Sequence, residues 1–417
     1  MRAAQMSDAL DLGSLIKDPS TRIIVTCGSG GVGKTTTAAA LAMKAAEAGR
    51  RTVVLTIDPA RRLAQSMGLT ELDNTPREVP GTDGNLHAMM LDMKRTFDDV
   101  VTTHATADRA QAIFDNPFYQ ALSSSFAGTQ EYMAMEKLGQ LREAQSTDGA
   151  DAWDLIVVDT PPSRSALDFL DAPQRLGRFL DGRLIKLLTA PARVGGKAYL
   201  KVVTASFSVV TRILSKILGS ALLTDVASFV SSLEAMFGGF RERADHTYQL
   251  LKAPGTLFVV VAAPEPDALR EASYFVERLS ADQMPLAGLV VNRVHYAVDG
   301  LSASRAEAGA EELASGSGTA RGSGHRPAGG KALAGGKGLA GERPERKVKA
   351  ADLQLAEAAL RVQVEVALSA EHDQRMIKRF ASAHPEVARV NVRALPSDVH
   401  DLDGLREIGA LLTGDGG

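Results

Sequence analysis

The stretch Ile23-Ile24-Val25-Thr26-Cys27-Gly28-Ser29-Gly30-Gly31-Val32-Gly33-Lys34-Thr35-Thr36-Thr37 constrains the fold of this chain more than any other. An apolar, β-branched run gives way to a glycine-rich turn, and that to alanines at helical period from Ala38 to Ala48. The pattern predicts a strand, a phosphate loop and the first turn of a helix. Glycine at Gly28 and Gly33 lets backbone N–H groups close around phosphate oxygens without a Cβ in the way, and the helix N-terminus brings its positive end to the same place. The expected nucleotide seat is therefore Gly28, Ser29, Gly30, Gly31, Val32, Gly33, Lys34, Thr35 and Thr36. Lys34 is expected to bridge the β- and γ-phosphates, and the Thr35 hydroxyl to ligate Mg²⁺. The chain has a single loop of this kind, so it supplies one nucleotide site.

After the helix come Gly49 and a second apolar run, Arg51 to Asp58, which completes a β-α-β unit. A third run, Trp153 to Asp159, ends in aspartate before Pro161-Pro162, and further buried strands are expected at Thr256 to Ala262, Leu286 to Asn292 and Ala388 to Leu395. Continuous apolar strands alternating with helices predict an α/β fold: a P-loop NTPase whose mostly parallel, doubly wound sheet binds its ligand at the strands' carboxyl ends. The loop, Asp58, Asp159 and Asn292 all fall at such ends.

Charge and cysteine content exclude several functions. Lys plus Arg number 47 against 50 Asp plus Glu, interspersed, for a net charge of −3. No basic stripe favours nucleic acid, so no nucleic-acid partner is expected. Cys27 is the only cysteine, which rules out an intrachain disulfide and leaves no zinc, iron–sulfur or thiolate metalloid site to expect. Its expected place is as a small core residue at the end of a buried strand. Residues 1–17 carry Asp8 and Asp11 and no uninterrupted apolar run, so no secretory leader is expected and the chain is read as cytoplasmic.

Two stretches break the α/β rhythm and read as helical, from about Arg95 to Gln145 and from Pro173 to Leu251. They predict a helical subdomain inserted in the core. The second is apolar around most of its circumference from Val202 to Phe237, but Arg212, Lys216, Asp225 and Glu234 keep every run short of the roughly 18 residues a spanning helix needs. Such helices either pack on one another or present an apolar groove to a partner. From about Ser302 to Lys349 the chain is Gly-, Ala- and Ser-rich and reads as disordered. The expected plan is residues 1–95 as the first part of the core, 96–149 and 173–252 as the helical subdomain, and 150–172 as a core strand with its following turn. Residues 253–300 and 351–417 form the rest of the core, and 301–350 the disordered insertion.

Asp159, at a strand end beside the loop, is expected to hold Mg²⁺ through water. Thr160 follows it where other nucleotidases place a general-base glutamate, so positioning of the attacking water must come from elsewhere. Asp58, in Asp58-Pro59-Ala60-Arg61-Arg62, is the candidate to orient that water, with a turn carboxylate or helix N-cap as the alternative. Asn292 alone reads equally well as a turn former.

Together these segments resemble the arsenical pump-driving and guided-entry (tail-anchored protein targeting) ATPase family, whose phosphate loop departs from the usual Walker A pattern. The resemblance rests on Gly28 to Thr36, on Thr56-Ile57-Asp58-Pro59-Ala60 as first switch, and on Asp159-Thr160-Pro161-Pro162-Ser163 with Ala166-Leu167, Phe169-Leu170 and Pro173 as second switch. It continues through Gly128 to Glu131, Phe240-Arg241-Glu242-Arg243-Ala244, Pro264-Glu265, Asn292 and Leu395-Pro396, and the pattern is closest to a single-module, actinobacterial-type member. The resemblance implies an ATPase that works as a dimer, with ATP at the subunit interface and a helical subdomain that opens and closes with nucleotide state. It implies that Asp58 orients water and that Asn292 and the Pro396 loop hold adenine.

Departures from the family pattern bear on mechanism. Ser29 stands where members usually carry a lysine that reaches the partner's nucleotide across the dimer. A homodimer would then need Arg61, Arg62 or Arg164 to substitute, a heterodimer with a paralogous ATPase would bring the lysine, or turnover is weak. Arg164-Ser165 replaces the Gly-His often found in the second switch, and the paired metal-binding cysteines of the targeting branch are absent. The expected function is an ATP-hydrolysing switch whose helical subdomain binds a hydrophobic protein client. The alternatives are the catalytic subunit of an anion transport system with a membrane protein partner, a membrane- or DNA-positioning ATPase, and a nucleotide-dependent scaffold.

Overall fold

The computed structural model describes residues 9–58, 62–82, 85–122, 129–145, 149, 151–161, 242–315 and 350–415. Strands β1 (Ile23–Cys27), β2 (Thr52–Thr56), β3 (Arg77–Glu78), β4 (Leu86–Met90), β5 (Leu155–Asp159), β6 (Thr256–Ala262), β7 (Leu286–Val294) and β8 (Arg389–Arg393) form one eight-stranded sheet in the order β3-β4-β2-β5-β1-β6-β7-β8. β1 pairs in parallel with β5 and β6, β2 with β4 and β5, and β6 with β7, while β3 runs antiparallel to β4. Every residue of β1, β2 and β5 is buried, as a parallel sheet covered on both faces requires. The chain has the expected α/β architecture.

Register decides where chemistry collects. Thr26 of β1 and Thr56 of β2 are both partners of Asp159 on β5, which lies between those strands. β2 and β5 therefore end at one level, in Thr56 and Asp159, with Thr26 of β1, one residue short of that strand's end, in the same row. β1 leads from there into the phosphate loop and α2 (Lys34–Glu47). Small side chains let α2 pack closely: Ala38 to Ala42 are fully buried, and α12 (Leu402–Thr413) crosses so near that a Cβ on Gly409 would come within 2.7 Å of the Lys44 side chain.

At the opposite end of the strands, Arg50 ties the loops together. Its guanidinium is buried and donates to the carbonyl oxygens of Ile16 at 2.8 Å, Thr21 at 2.5 Å and Asp154 at 2.6 Å. A desolvated charge needs such acceptors, and these three span α1 (Leu12–Lys17), the turn into β1 and the entry to β5.

Helices α4 (Met93–His104), α5 (Ala107–Phe114), α6 (Pro117–Leu122) and α7 (Thr129–Glu143) follow β4 and the short α3 (Arg62–Ser66). Asp92 caps α4 by accepting the Arg95 N–H at 2.9 Å. The buried Glu136 of α7 accepts the Tyr132 hydroxyl at 3.1 Å and Arg243 Nε at 3.0 Å, which joins α7 to α8 (242–252). Most of the second expected helical stretch, including Val202 to Phe237, lies outside the described residues. Among the described residues no helix is long and apolar enough to cross a membrane.

α9 (Pro266–Ala281) connects β6 to β7. The described residues of 294–378 form a compact unit of their own, built from α10 (Ala303–Ala314) and most of α11 (Ala350–Ala383). Within it the His295 N–H and Nδ1 both lie 2.8 Å from Asp373 Oδ2, and the Gln363 amide donates to the Leu301 carbonyl at 3.2 Å.

Two expectations change. Residues 303–314, read as the opening of a disordered insertion, are a helix: Ser302 caps it by accepting the Arg305 N–H at 3.4 Å, and Ala303, Ala306 and Ala310 are buried along one side. Small residues that look like low complexity serve here as a packing face. Residues 316–349 lie outside the described residues. β8, read as a buried strand, is a sheet edge in which only Val392 is buried. Arg389 and Arg393 suit that position, since charge on an edge opposes pairing with another chain.

Candidate functional site

The loop between β1 and α2 has the backbone that its glycines allow. Gly28 has φ +152° and runs so close to β6 that a Cβ would lie 2.1 Å from the Val261 carbonyl oxygen. Gly33 sits at the helix N-cap with φ +95°, and its Cβ would meet the Asn292 amide at 2.2 Å. Any other residue would clash at either position. The first N–H groups of α2 have no intrahelical partner and point into the loop, where an anion is favoured.

Lys34 opens α2, is buried, and donates from Nζ to the Ser29 carbonyl at 2.7 Å. Burial pushes its pKa below the ordinary lysine value, opposed by the charges of Asp159 and Asp58, while the Arg62 charge lowers it further. The next residue, Thr35, donates its hydroxyl to Asp159 Oδ2 at 2.8 Å. Thr36 is half-buried on the following position of the helix.

Asp159 is fully buried, and desolvation lifts its pKa to about 6 against the hydrogen bonds from Thr35 and Thr56 and the Lys34 charge. Its Oδ2 also accepts the Thr56 hydroxyl at 2.9 Å, whereas the buried Oδ1 has no hydrogen-bond partner among the described residues. An unpartnered carboxylate oxygen next to a threonine hydroxyl, at the mouth of a phosphate loop, is the hard-oxygen donor set that suits Mg²⁺ completed by water and phosphate. Asp58 follows two residues after Thr56, and its N–H donates to the Thr56 hydroxyl at 3.2 Å.

On the other side of the loop, Asn292 near the end of β7 is buried and donates from Nδ2 to the Val32 carbonyl at 2.9 Å. It grips the loop's backbone rather than simply making a turn. Arg293 after it has φ +62°, an uncommon conformation for a residue with a side chain. Pro396 is exposed in the segment between β8 and α12, and β8 stands three places from β1, about 14 Å across the sheet. A hollow of about 550 Å³ adjoins Ser29 to Val32 on the α9 side and is lined also by Glu265, Asp267 and Glu271. Three carboxylates repel a polyphosphate, so the anion seat is the loop's interior and not this hollow.

The structure thus brings together the loop, Lys34, Thr35, Asp58, Asp159 and Asn292, and leaves Pro396 apart at the sheet edge. Pro59, Ala60, Arg61 and the second switch from Pro162 onward, with Arg164, lie outside the described residues. Sequence reasoning quoted Thr56 and gave it no role. The signal was present, because a hydroxyl ending a strand two residues before Asp58 faces whatever ends the neighbouring parallel strand.

Comparison with known proteins agrees with this geometry. The family model described as anion-transporting ATPase matches residues 21–300. ATPase GET3 of Candida glabrata is 25% identical over 296 residues, which cover 69% of this chain and 76% of that protein. ATPase GET3 of Podospora anserina is 27% identical over 297 residues, 69% and 78% of the two chains. ATPase ARSA2 of Chlamydomonas reinhardtii is 29% identical over 301 residues, 70% and 73% of the two chains.

Proposed function

The chain belongs to the anion-transporting ATPase family and is an ATPase, and from that premise we propose that it works as a switch: Mg²⁺-ATP hydrolysis at the β1–α2 loop opens and closes a helical subdomain that binds a hydrophobic protein client. One observation carries this reading. The hydroxyls of Thr35 and Thr56 meet on a single oxygen of Asp159, and the Thr56 hydroxyl also receives the Asp58 N–H. The phosphate seat and the segment that bears the water-orienting carboxylate are thereby linked through two side chains.

Loop N–H groups take the α- and β-phosphates, and Lys34 leaves the Ser29 carbonyl to reach the β- and γ-phosphates. Thr35 would hold Mg²⁺ directly and Asp159 through water, and the ion would neutralise charge on the β- and γ-oxygens. Asp58 orients water in line with the γ-phosphorus. The bond to the β–γ bridging oxygen breaks and ADP and phosphate leave, the water's protons passing to phosphate and solvent. Asn292, beside the loop, holds adenine, whereas the Pro396 segment, apart at the sheet edge, would have to move to reach it.

Two copies of the chain, or this chain with a paralogous ATPase, bring their nucleotide loops face to face in the cytoplasm. Ser29 offers no cation to the partner's phosphates. Arg62 is the described arginine whose charge already reaches Lys34, which supports substitution within the chain. The carboxylates Glu265, Asp267 and Glu271 beside Ser29 favour a basic side chain from the other subunit at that place.

A second reading, the catalytic subunit of an anion transport system, draws on the description of the family and keeps the same site chemistry with a membrane protein partner. Crosslinking of the helical subdomain in cells, with nucleotide state controlled by Asp58→Asn, separates the two. Recovery of soluble hydrophobic client segments supports the switch, and recovery of one integral membrane protein at fixed stoichiometry overturns it in favour of transport.

A further inference from the structure

Thr56 is the last residue of β2, 1% exposed, and the register partner of Asp159. A hydroxyl has one hydrogen to give and lone pairs to receive. Here the hydrogen goes to Asp159 Oδ2 at 2.9 Å, and a lone pair receives the Asp58 N–H at 3.2 Å. The Thr56 side chain is thus hydrogen-bonded to both carboxylate-bearing residues. The strand does not depend on this hydroxyl for its pairing: the Thr56 carbonyl accepts the Leu91 N–H, and the Ile57 N–H donates to the Asp159 carbonyl, both at 2.9 Å. The side-chain bonds therefore do something that the backbone does not.

We propose that Thr56 is a positioning residue for hydrolysis, whose hydroxyl fixes the backbone of Asp58 relative to Asp159 so that water orientation and metal binding are set by one side chain. The inference rests on the roles proposed above for Asp58 and Asp159. Phosphates contact the loop and Lys34, and none of those groups is held by Thr56. Loss of its hydroxyl should thus leave nucleotide in place and misdirect the Asp58 segment. Without the hydroxyl the Ile57 N–H still ties the two backbones, but the Asp159 carboxylate and the Asp58 N–H lose the partner they share. Valine in this position keeps the shape and β-propensity and removes both bonds.

The test is a comparison of Thr56→Val, Thr56→Ser and Thr56→Cys in the full chain, measuring Mg²⁺-ADP affinity and steady-state hydrolysis with magnesium varied. Expected for Thr56→Val is affinity within about threefold of wild type, kcat lower by about thirtyfold or more, and a higher magnesium concentration for half-maximal rate. Thr56→Ser recovers kcat to within about threefold, and Thr56→Cys, similar in size but a weak donor, does not. A purely structural role would lower melting temperature and affinity together without splitting kcat from affinity. Hydrolysis by Thr56→Val within threefold of wild type overturns the proposal, as does equal activity of the Ser and Cys variants should the valine variant fail to fold. Asp58→Asn keeps the two failures apart. If it hydrolyses normally the role of Asp58 is wrong, and if it is inactive while Thr56→Val is active only the inference about Thr56 falls.

Discussion

Lys34 Nζ lies 2.7 Å from the carbonyl oxygen of Ser29, so the lysine proposed to bind phosphate is hydrogen-bonded within its own loop. In that role, phosphate would replace the carbonyl as its partner. Lys34→Ala removes a charge-assisted contact and is expected to weaken ATP binding by about a hundredfold with little change in fold. Calorimetric titration of the variant, alongside its circular dichroism spectrum, checks both parts. Binding within a few-fold of wild type would remove Lys34 from the site.

Asp58→Asn keeps the shape of the side chain and its N–H to Thr56 while removing the negative charge proposed to orient water. Nucleotide affinity should stay near wild type and kcat fall by about a hundredfold. Single-turnover hydrolysis with radiolabelled ATP distinguishes a slowed chemical step from slow release.

The raised pKa of Asp159, about 6 against an ordinary 3.8, makes a pH prediction with a definite sign. The folded state binds this proton more tightly than the unfolded state, so stability is lost as pH rises from about 4 through 6, by about 3 kcal/mol when the carboxylate is fully ionised. Asp159→Asn should therefore be more stable than wild type above pH 6 in the absence of nucleotide and magnesium, and lose that advantage near pH 4. Urea melts at several pH values measure this. A carboxylate is also the better magnesium partner, so Mg²⁺-ATP affinity of the wild type should rise as pH increases through about 6, and that of the variant should not.

Arg62 and Ser29 make a linked pair of predictions about charge. If the arginine stands in for the missing lysine, Arg62→Ala lowers kcat by about tenfold, roughly 1.4 kcal/mol of transition-state stabilisation, and Ser29→Lys in the same chain restores it. Oligomeric state is followed by light scattering in each case. Brisk hydrolysis by a homodimer that persists in Arg61→Ala, Arg62→Ala and Arg164→Ala alike would leave neither an arginine nor a second type of subunit to explain Ser29.

The parts of this molecule that could be read from sequence are those where local pattern and local function coincide. Gly28, Gly33 and Lys34 declare themselves because the loop's backbone demands those residue types in order, and Asp159 because it ends an apolar run. Thr56 ends a strand two residues before Asp58, but its role was harder to read. Its partner lies 103 residues away, and only the parallel register of β2 with β5 brings them together. Asn292 was read from family likeness as an adenine residue, while its bond to the Val32 carbonyl depends on how β7 is placed beyond β6. β3 has two residues and no periodicity to detect. Ala303 to Ala314 failed for a different reason: alanine and glycine content is shared by disordered segments and by closely packed helices, and burial is what tells them apart.

The shared level at which Thr56 and Asp159 end their strands would, with the site proposed above, give ATP a part in proofreading the fold. Moving β2 or β5 by one residue would turn every buried side chain on it to the opposite face and take the hydroxyls away from the carboxylate. A misaligned sheet would still be compact but would not set Thr56 beside Asp159. Nucleotide bound at the proposed site would require the aligned form and so draw the population toward it. Refolding in the presence of Mg²⁺-ADP thus selects register as well as stabilising the product.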